Sequence, residues 1–497
     1  MSPPAEDRPV PGVALYLLAF GSGFAVMAIE IAGARVMAPT YGLSAVPWTA
    51  VIGIILAALA AGNHVGGRWA DGGGPALGWI LGAAGLTATL PVVLAGLPSR
   101  ALEGLGFLPG AVASAAALFA PPVFALGTVM PYLVRLATTD VTDVGRRAGD
   151  VGAAATVGSI LGTFVTGFVL LPAFPLPALL AGTGAALLLM AALAGVLLGR
   201  GPAPPGPILL AVGVAAVGLA GPAAAPGLLH REETVHASIQ VTERTWSDGR
   251  LVREMWQNGG SSSAEYVDTG RPAHPYAALS LEAMGTLGTR PDSILVLGGA
   301  ALTLPVALEA WRPGLRIDVV ELDPAATRLA RRYFAYGSLG EDTGIRVVHG
   351  DARRWLRSSG GRYDVVYLDV FDNLVTVPWN LVTVEALELV RARLSPRGVV
   401  MANVLSPTAG PSAEFLRRLL STFRTVFPAV RAWPVVPGGD PAATGNVLLV
   451  AGRTADALPD LVRDPVDTPS SGPPFTDAHA PVEYLQARVF LGGLRWR

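Results

Sequence analysis

Four acidic residues carry the chemistry that this chain offers: Glu321, Asp351, Asp369 and Asp372. The first three stand at the ends of short apolar runs, in Val319-Val320-Glu321, in Gly350-Asp351 after Ile345–His349, and in Tyr363–Leu368 before Asp369. An acid at the end of the second strand of a nucleotide-binding fold accepts hydrogen bonds from both ribose hydroxyls of an adenosine. Glu321 is read in that role, with a helix N-terminal charge as the plainer alternative; Asp323, just before Pro324, is read as the helix cap. Asp351 is expected to accept from an adenine amino group, or else to serve a turn. Asp369 and Asp372 are spaced to hold a cationic amine and take its proton, or else to shape a turn. Gly298-Gly299, after Ser293–Leu297, would let the backbone turn tightly and come close to a ligand.

These residues need a frame of strands ending on one edge, and the sequence supplies its pattern. Apolar strands over Ser293–Leu297, Arg316–Glu321, Ile345–His349, Tyr363–Leu368 and Gly398–Val404 alternate with helices over Leu302–Trp311, Pro324–Phe334 and Val384–Leu394. Alternation of β and α with continuous apolar strands predicts a parallel, doubly wound sheet. Ligands bind such sheets beyond the carboxyl ends of the strands. Upstream, His236–Glu243 and Arg250–Gln257 flank Ser247-Asp248-Gly249 and read as a β-hairpin. A helix over Pro275–Gly285 follows.

The amino-terminal half belongs to a different solvent. Over the 497 residues, 51% are hydrophobic and only 15% charged, against roughly 25% charged in ordinary globular chains. The deficit lies between Val13 and Leu229. Seven stretches approach the roughly 20 apolar residues of a spanning helix: Val13–Met37, Val46–Val65, Ala76–Leu97, Leu108–Met130, Val151–Leu171, Ala178–Leu198 and Pro207–Leu219. Glu30 and Arg35 sit in the first, as a polar site within the bundle, or else as interfacial anchors or a structural ion pair. Arg68, Arg135, Arg146, Arg147 and Arg200 follow even-numbered stretches, with Arg100 against the trend. That bias puts the amino terminus in the cytoplasm. Seven full crossings would then carry the carboxy-terminal half outside, unless one stretch does not fully cross, and the sequence leaves both open. The expected localisation is the cell membrane, multi-pass, with divisions at 1–227, 228–290 and 291–497.

Composition also excludes some chemistry. With no cysteine, disulfides, thiolate metal sites and cysteine nucleophiles are out. A net charge of −1 gives no reason to expect nucleic acid. The histidines have no ligand spacing, so no metal is expected.

The sequence resembles the membrane-fused branch of the spermidine synthase family. The stretches that carry the likeness are Ile294-Leu295-Val296-Leu297-Gly298-Gly299, Val320-Glu321-Leu322-Asp323-Pro324, Gly350-Asp351-Ala352, Tyr363–Asp369 and the late Thr476-Asp477-Ala478-His479-Ala480-Pro481-Val482-Glu483. Glu30–Arg35 and Gly66–Asp71 are similar to the fused membrane segments. The resemblance implies a membrane helical bundle joined to a Rossmann-like, methyltransferase-type α/β domain with a small β-hairpin module. It implies transfer of an aminopropyl group from decarboxylated S-adenosylmethionine to a small-molecule amine. Carried over by position, Glu321 holds ribose, Asp351 and Ala352 the adenine, and Gly298 and Gly299 line the nucleoside. Pro378 closes over the base, Asp369 accepts the proton, and Asp372 and Tyr276 serve the amine. The expected partners are that amine, the lipid bilayer and a second copy in a homodimer.

This sequence departs from the family at two places. The family's glycine loop, Gly-Gly-Gly-Asp-Gly, reads Gly298-Gly299-Ala300-Ala301-Leu302 here, so the loop acid is Ala301. The acid-bearing run before the sheet reads Arg271-Pro272-Ala273-His274-Pro275-Tyr276-Ala277-Ala278. The nucleoside half of the site is kept and the polyamine half rebuilt. Two alternatives stay open beside aminopropyl transfer: a transferase that uses S-adenosylmethionine itself, and a non-catalytic transporter or sensor that binds a nucleoside.

Overall fold

The computed structural model describes residues 12–41, 45–72, 74–94, 107–138, 140–197, 226–340, 343–371 and 376–491, with residues 105, 213 and 216. Contacts divide the chain into two units, Met1–Ala224 and Ala225–Arg497. The small sheet expected as a module of its own falls in the second.

The first unit is helical: α1 (Gly12–Tyr41), α2 (Ala45–Gly72), α3 (Leu77–Thr87), α4 (Phe107–Ala137), α5 (Val144–Val165) and α6 (Leu176–Leu197). Among the described residues, five helical stretches are long and apolar enough to cross a membrane: Gly12–Ala38, Ala45–Gly72, Leu108–Ala137, Val141–Leu170 and Leu176–Val196. The third of the seven expected stretches is not among them. The third stretch breaks at Ala88 and Thr89. There the hydroxyls of Thr87 and Thr89 bond back to the Ala83 and Leu86 carbonyls at 2.7 and 2.6 Å, and Pro91 brings no N–H to continue the ladder. A second helical turn, Leu90–Val93, follows. The seventh stretch, Pro207–Leu219, lies outside the described residues but for two positions.

Glycine contacts give each helix a direction. Gly158 and Gly162 lie against Phe20 and Phe24, so α1 and α5 run parallel. Gly62 and Gly66 lie against Phe124 and Thr128, so α2 and α4 do as well. Gly78 meets Ala191 and Gly85 meets Gly184, which makes α3 and α6 antiparallel. Gly21 meets Met190 while Ala32 packs with Leu179, and Gly33 meets Phe119 while the Tyr41 hydroxyl bonds Ser114 at 3.0 Å. Both α6 and α4 are thus antiparallel to α1. The six helices alternate in direction, α3 included, and residue 197 ends on the face where residue 12 begins. The carboxyl ends of α2 and α4 share that face, joined by Asp71 and Arg135 at 3.9 Å. Large apolar side chains such as Trp79, Phe168, Leu17 and Leu56 stand exposed on this unit.

The second unit carries two sheets. The expected hairpin is the middle of a four-stranded antiparallel sheet, β1 (Leu228–Glu233), β2 (Ser238–Thr245), β3 (Leu251–Gln257) and β4 (Gly260–Tyr266). Its central turn closes with Trp246 N–H on Arg250 O at 2.9 Å, and Gly249 takes φ +77°. The larger sheet contains β5 (Ser293–Leu297), β6 (Arg316–Glu321), β7 (Ile345–His349), β8 (Tyr363–Leu368), β9 (Leu394–Ser406), β10 (Ala429–Pro434) and β11 (Gly445–Gly452). Their order is β10-β11-β9-β8-β5-β6-β7. The block from β9 to β7 is parallel, and β11 and β10 add antiparallel.

Successive residues of β5 pack on opposite faces. Ile294 and Val296 enter one apolar cluster, Leu295 and Leu297 the other, as a strand buried on both sides demands. The first cluster takes the helices α7 (Pro275–Gly285), α8 (Thr303–Trp311) and α9 (Pro324–Tyr333). The second takes Leu356 of α10 (Ala352–Ser358), α11 (Val384–Ala392), α12 (Glu414–Val426) and α13 (Val482–Leu491). The chain leaves β5 for β6 and β7, then returns to β8 on the other side of β5. The carboxyl ends of β5 and β8 therefore flank the point where strand order reverses, which is where such sheets bind ligands.

Candidate active site

Strand register assembles the site. Leu297 pairs with both Val320 and Leu368, Glu321 with His349, and Leu368 with Ala402. The next residues along, Gly298, Glu321, Asp369 and Asn403, form one row on the carboxyl edge. Gly298 has φ +90°, and a Cβ there would lie 2.3 Å from the Asp369 carbonyl oxygen. Only glycine allows β5 and β8 to come so close at their ends.

The loop after β5 is held from below by Glu321, which is buried. Its Oε2 accepts from the Gly299 and Ala300 N–H groups, both at 2.8 Å, and its Oε1 from Asp323 N–H at 2.8 Å. A carboxylate has about four acceptor sites, so Glu321 keeps capacity toward a ligand above it. Asp323 caps α9 by accepting from Ala325 N–H at 2.9 Å, and it also accepts from the Thr234 hydroxyl at 2.5 Å. Ser263 accepts from Ala301 N–H at 3.2 Å. The four-stranded sheet is thereby tied to the loops that follow both β5 and β6.

The same loop is strained. Ala300 has φ +43° and Leu302 φ +60°, the left-handed region that favours glycine. Both stand where the family loop has glycine. Leu302 compensates by placing its side chain fully in the core.

Asp369 sits half-buried with two donors. Tyr276 donates its hydroxyl to Oδ2 at 2.9 Å, and Asn403 donates its amide to Oδ1 at 3.0 Å. Asn403 is itself fixed by an amide hydrogen bond from Asn446 at 2.9 Å. Burial pushes the Asp369 carboxyl up to about 6, against the pull of the Asn403 and Tyr276 hydrogen bonds. Burial likewise holds the Tyr276 hydroxyl well above its usual range, so it donates while Asp369 accepts. A carboxylate with a raised proton affinity, set by two neutral donors, suits general-base work near neutral pH.

Behind Tyr276 the wall is aromatic. His274 stacks on Tyr276 with ring centres 6.0 Å apart and meets Trp246 at 5.9 Å. Burial pushes the His274 imidazole down to about 4, so it is neutral here, and Ser261 holds its Nε2 at 3.0 Å. Glu254 is buried but engaged by Arg244, Trp246 and Ser261.

Of the remaining expected site residues, Asp351, Ala352 and Pro378 fall among the described residues. Asp351 is exposed and caps α10, accepting from Arg354 N–H at 2.7 Å, with Ala352 as the first helical residue. Pro378 precedes the short helical turn Trp379–Leu381. Asp372 lies outside the described residues. Asn403 and Asn446 were not singled out from sequence. The signal for Asn403 is one polar residue at the end of the apolar run Val399–Val404, which a buried site leaves unsatisfied unless it has a partner.

The fold and the row of strand-end polar groups define a Rossmann-like, methyltransferase-type α/β domain. Residues 279–438 match the family model described as the spermine/spermidine synthase domain. A polyamine aminopropyltransferase of Vibrio vulnificus is 30% identical over 206 residues, covering 40% of this chain and 65% of that protein. Polyamine aminopropyltransferase 1 of Streptomyces coelicolor is 33% identical over 251 residues, covering 49% of this chain and 44% of that one. The matched stretch thus spans less than two thirds of either relative. A solved structure of a probable spermidine synthase from Corynebacterium glutamicum aligns with a TM-score of 0.39 at 24% identity, over 46% of this chain and 81% of that one. Within the second unit, residues 279–438 are thus similar to the spermine/spermidine synthase domain, and the unit is related in sequence to polyamine aminopropyltransferases.

Proposed function

We propose that the protein is a membrane-bound aminopropyltransferase whose donor is decarboxylated S-adenosylmethionine. The observation that carries this reading is the half-buried Asp369, held between Tyr276 and Asn403 with its carboxyl pushed up to about 6. The amine nitrogen attacks the carbon beside the sulfonium, a C–N bond forms and the C–S bond breaks. The bonding pair passes to sulfur, which leaves neutral as methylthioadenosine. The attacking nitrogen becomes acidic as it gains positive charge, and Asp369 takes its proton. Glu321 holds the ribose with its remaining acceptor capacity. Asp351 and Ala352 hold the adenine, Pro378 closes over it, and Asp372 helps orient the amine.

The acceptor in this reading is less cationic than a diamine. Ala301 replaces the loop acid of the family, and the wall behind Tyr276 offers neutral His274. An ammonium left unpaired in such a cleft is costly.

Among the described residues, Gly12 and Leu197 lie on one face of the helices, and the Arg residues at the ends of α2 and α4 and the start of α5 share that face. By the bias of basic residues, we assign that face to the cytoplasm. Protease protection in sealed vesicles of known orientation checks this assignment.

Calorimetric titration of the full chain in detergent with methylthioadenosine, S-adenosylmethionine and its decarboxylated form tests the central reading. It expects binding of methylthioadenosine and a preference for the decarboxylated donor. No binding of any of the three would overturn it. A preference for S-adenosylmethionine would favour the alternative transferase reading, which the loss of the loop acid at Ala301 also supports.

A further inference from the structure

The late stretch Thr476–Glu483 stands far from the strand ends in sequence, and the chemistry above makes no use of it. Its contacts lead back to the nucleoside side of the site. Arg353, in the first turn of α10 beside Asp351 and Ala352, is 7% exposed. Its guanidinium forks onto both carboxylate oxygens of Asp477. The same Nη1 donates to the Asn380 carbonyl at 2.6 Å and reaches the Thr383 hydroxyl at 3.4 Å. Thr383 in turn donates to Asp477 at 2.7 Å. A second tie lies a few residues on: Gln486, fully buried, accepts from Val377 N–H at 3.0 Å. The segment 376–383 carries Pro378, and it is gripped at both ends by the carboxy-terminal residues.

A planar, bidentate Arg–carboxylate pair fixes orientation as well as distance. Arg353 is buried while Asp477 reaches solvent, and a pair that reaches the surface is a weak source of net stability. The fork suits a task of geometry. The pair joins three pieces of chain: the turn bearing Asp351 and Ala352, the segment bearing Pro378, and the carboxy-terminal stretch. The first two are the walls between which an adenine would lie.

We infer that Arg353, Asp477 and Gln486 form a latch that fixes the gap between Ala352 and Pro378, and so acts as the positioning device for the nucleoside base. The inference rests on the nucleoside reading of the site. None of the three residues touches the reacting atoms.

The test uses the full chain in detergent with methylthioadenosine as the probe. Two variants are compared with the parent: Arg353→Lys, which keeps the charge and loses the fork, and Gln486→Leu, which keeps the volume and loses the acceptor. Each is titrated below its own melting temperature. Both variants should bind methylthioadenosine about tenfold more weakly, and KM for the donor should rise by more than kcat falls. A merely structural role would lower the melting temperature and leave the affinity of the folded protein unchanged. Parental affinity in both variants would overturn the latch alone. Failure of the parent to bind methylthioadenosine would overturn the nucleoside reading and the latch together. If one variant does not fold, the other decides.

Discussion

Tyr276 donates its hydroxyl to Asp369 across 93 residues of sequence, at 2.9 Å. The bond joins the first helix before the large sheet to the end of its fourth strand. It also bears on the proton affinity of Asp369. Burial raises the carboxyl to about 6, and this hydrogen bond opposes the rise. A proton acceptor must be ionised, so kcat/KM should climb through about pH 6 and level off above it. Tyr276→Phe removes a donor to the charged form and moves that limb to higher pH. Activity should fall roughly three- to tenfold at pH 6 and far less at pH 8. A pH–rate profile in which the limb stays in place would separate Tyr276 from the tuning of Asp369.

Glu265 provides a pH dependence of stability that is independent of catalysis. It is buried in β4, accepts from Ala335 N–H at 3.1 Å through both oxygens, and faces Arg253 at 3.8 Å. Burial pushes its carboxyl up to about 7, against the pull of Ala335 and Arg253. Its pKa in the folded state is above the unfolded value, so the folded protein binds the extra proton between about pH 4.5 and pH 7. Stability from this group is therefore lost as pH rises through that window. Glu265→Gln removes the dependence. Thermal unfolding of parent and variant should differ at pH 5 and pH 7.5 by amounts that diverge by about 1–3 kcal/mol.

The loop after β5 makes opposite predictions at two neighbouring positions. Left-handed backbone costs a non-glycine residue roughly 1–2 kcal/mol, and glycine costs about 0.5–1 kcal/mol in unfolded-chain entropy. Ala300→Gly should then stabilise the domain by about 0.5 kcal/mol. Leu302→Gly relieves a similar strain but empties a fully buried site, where losing a leucine costs roughly 2–5 kcal/mol. It should destabilise. Denaturant or thermal titration reads both signs.

The carboxyl edge was legible in sequence because apolar strands end abruptly in Gly298, Glu321, Asp351 and Asp369, and side-chain type marks those ends. What stayed hidden depended on pairing. Asn403 is marked in sequence only as a polar residue in an apolar run, and it is the register of β8 with β9 that puts it beside Asp369. The outer strands Leu228–Glu233 and Gly260–Tyr266 are charged or serine-rich and carry no apolar alternation; their backbone is ordered by partners, not by propensity. The third apolar helix broke where Thr87, Thr89 and Pro91 draw hydrogen bonds away from the ladder, a local effect that a hydropathy window averages out. The Asp351 side chain shows a helix cap, a role that the turn reading of Gly350-Asp351 approached without locating Arg354 as its donor.

In the helical unit, packing hinges on glycine at specific contacts. A Cβ on Gly158 would come within 2.0 Å of the Phe20 carbonyl oxygen, whereas one on Gly152, earlier on the same helix, meets nothing within 4 Å. Gly158→Val should force α1 and α5 apart at a cost of about 1–3 kcal/mol or more, and Gly152→Val should be tolerated. Limited proteolysis of the detergent-solubilised chain distinguishes them; equal susceptibility would contradict the parallel packing of α1 on α5.

The central claim is that Asp369 takes a proton while an aminopropyl group moves from sulfur to nitrogen. Its most direct measurement is the product pair released by the full chain given decarboxylated S-adenosylmethionine and a panel of amines, resolved by mass spectrometry. The account predicts methylthioadenosine and one aminopropylated amine in equal amounts. It also predicts a rate at least about a hundredfold lower in Asp369→Asn, with methylthioadenosine affinity kept. Turnover that survives in Asp369→Asn, or no methylthioadenosine from the parent with any amine, would contradict it.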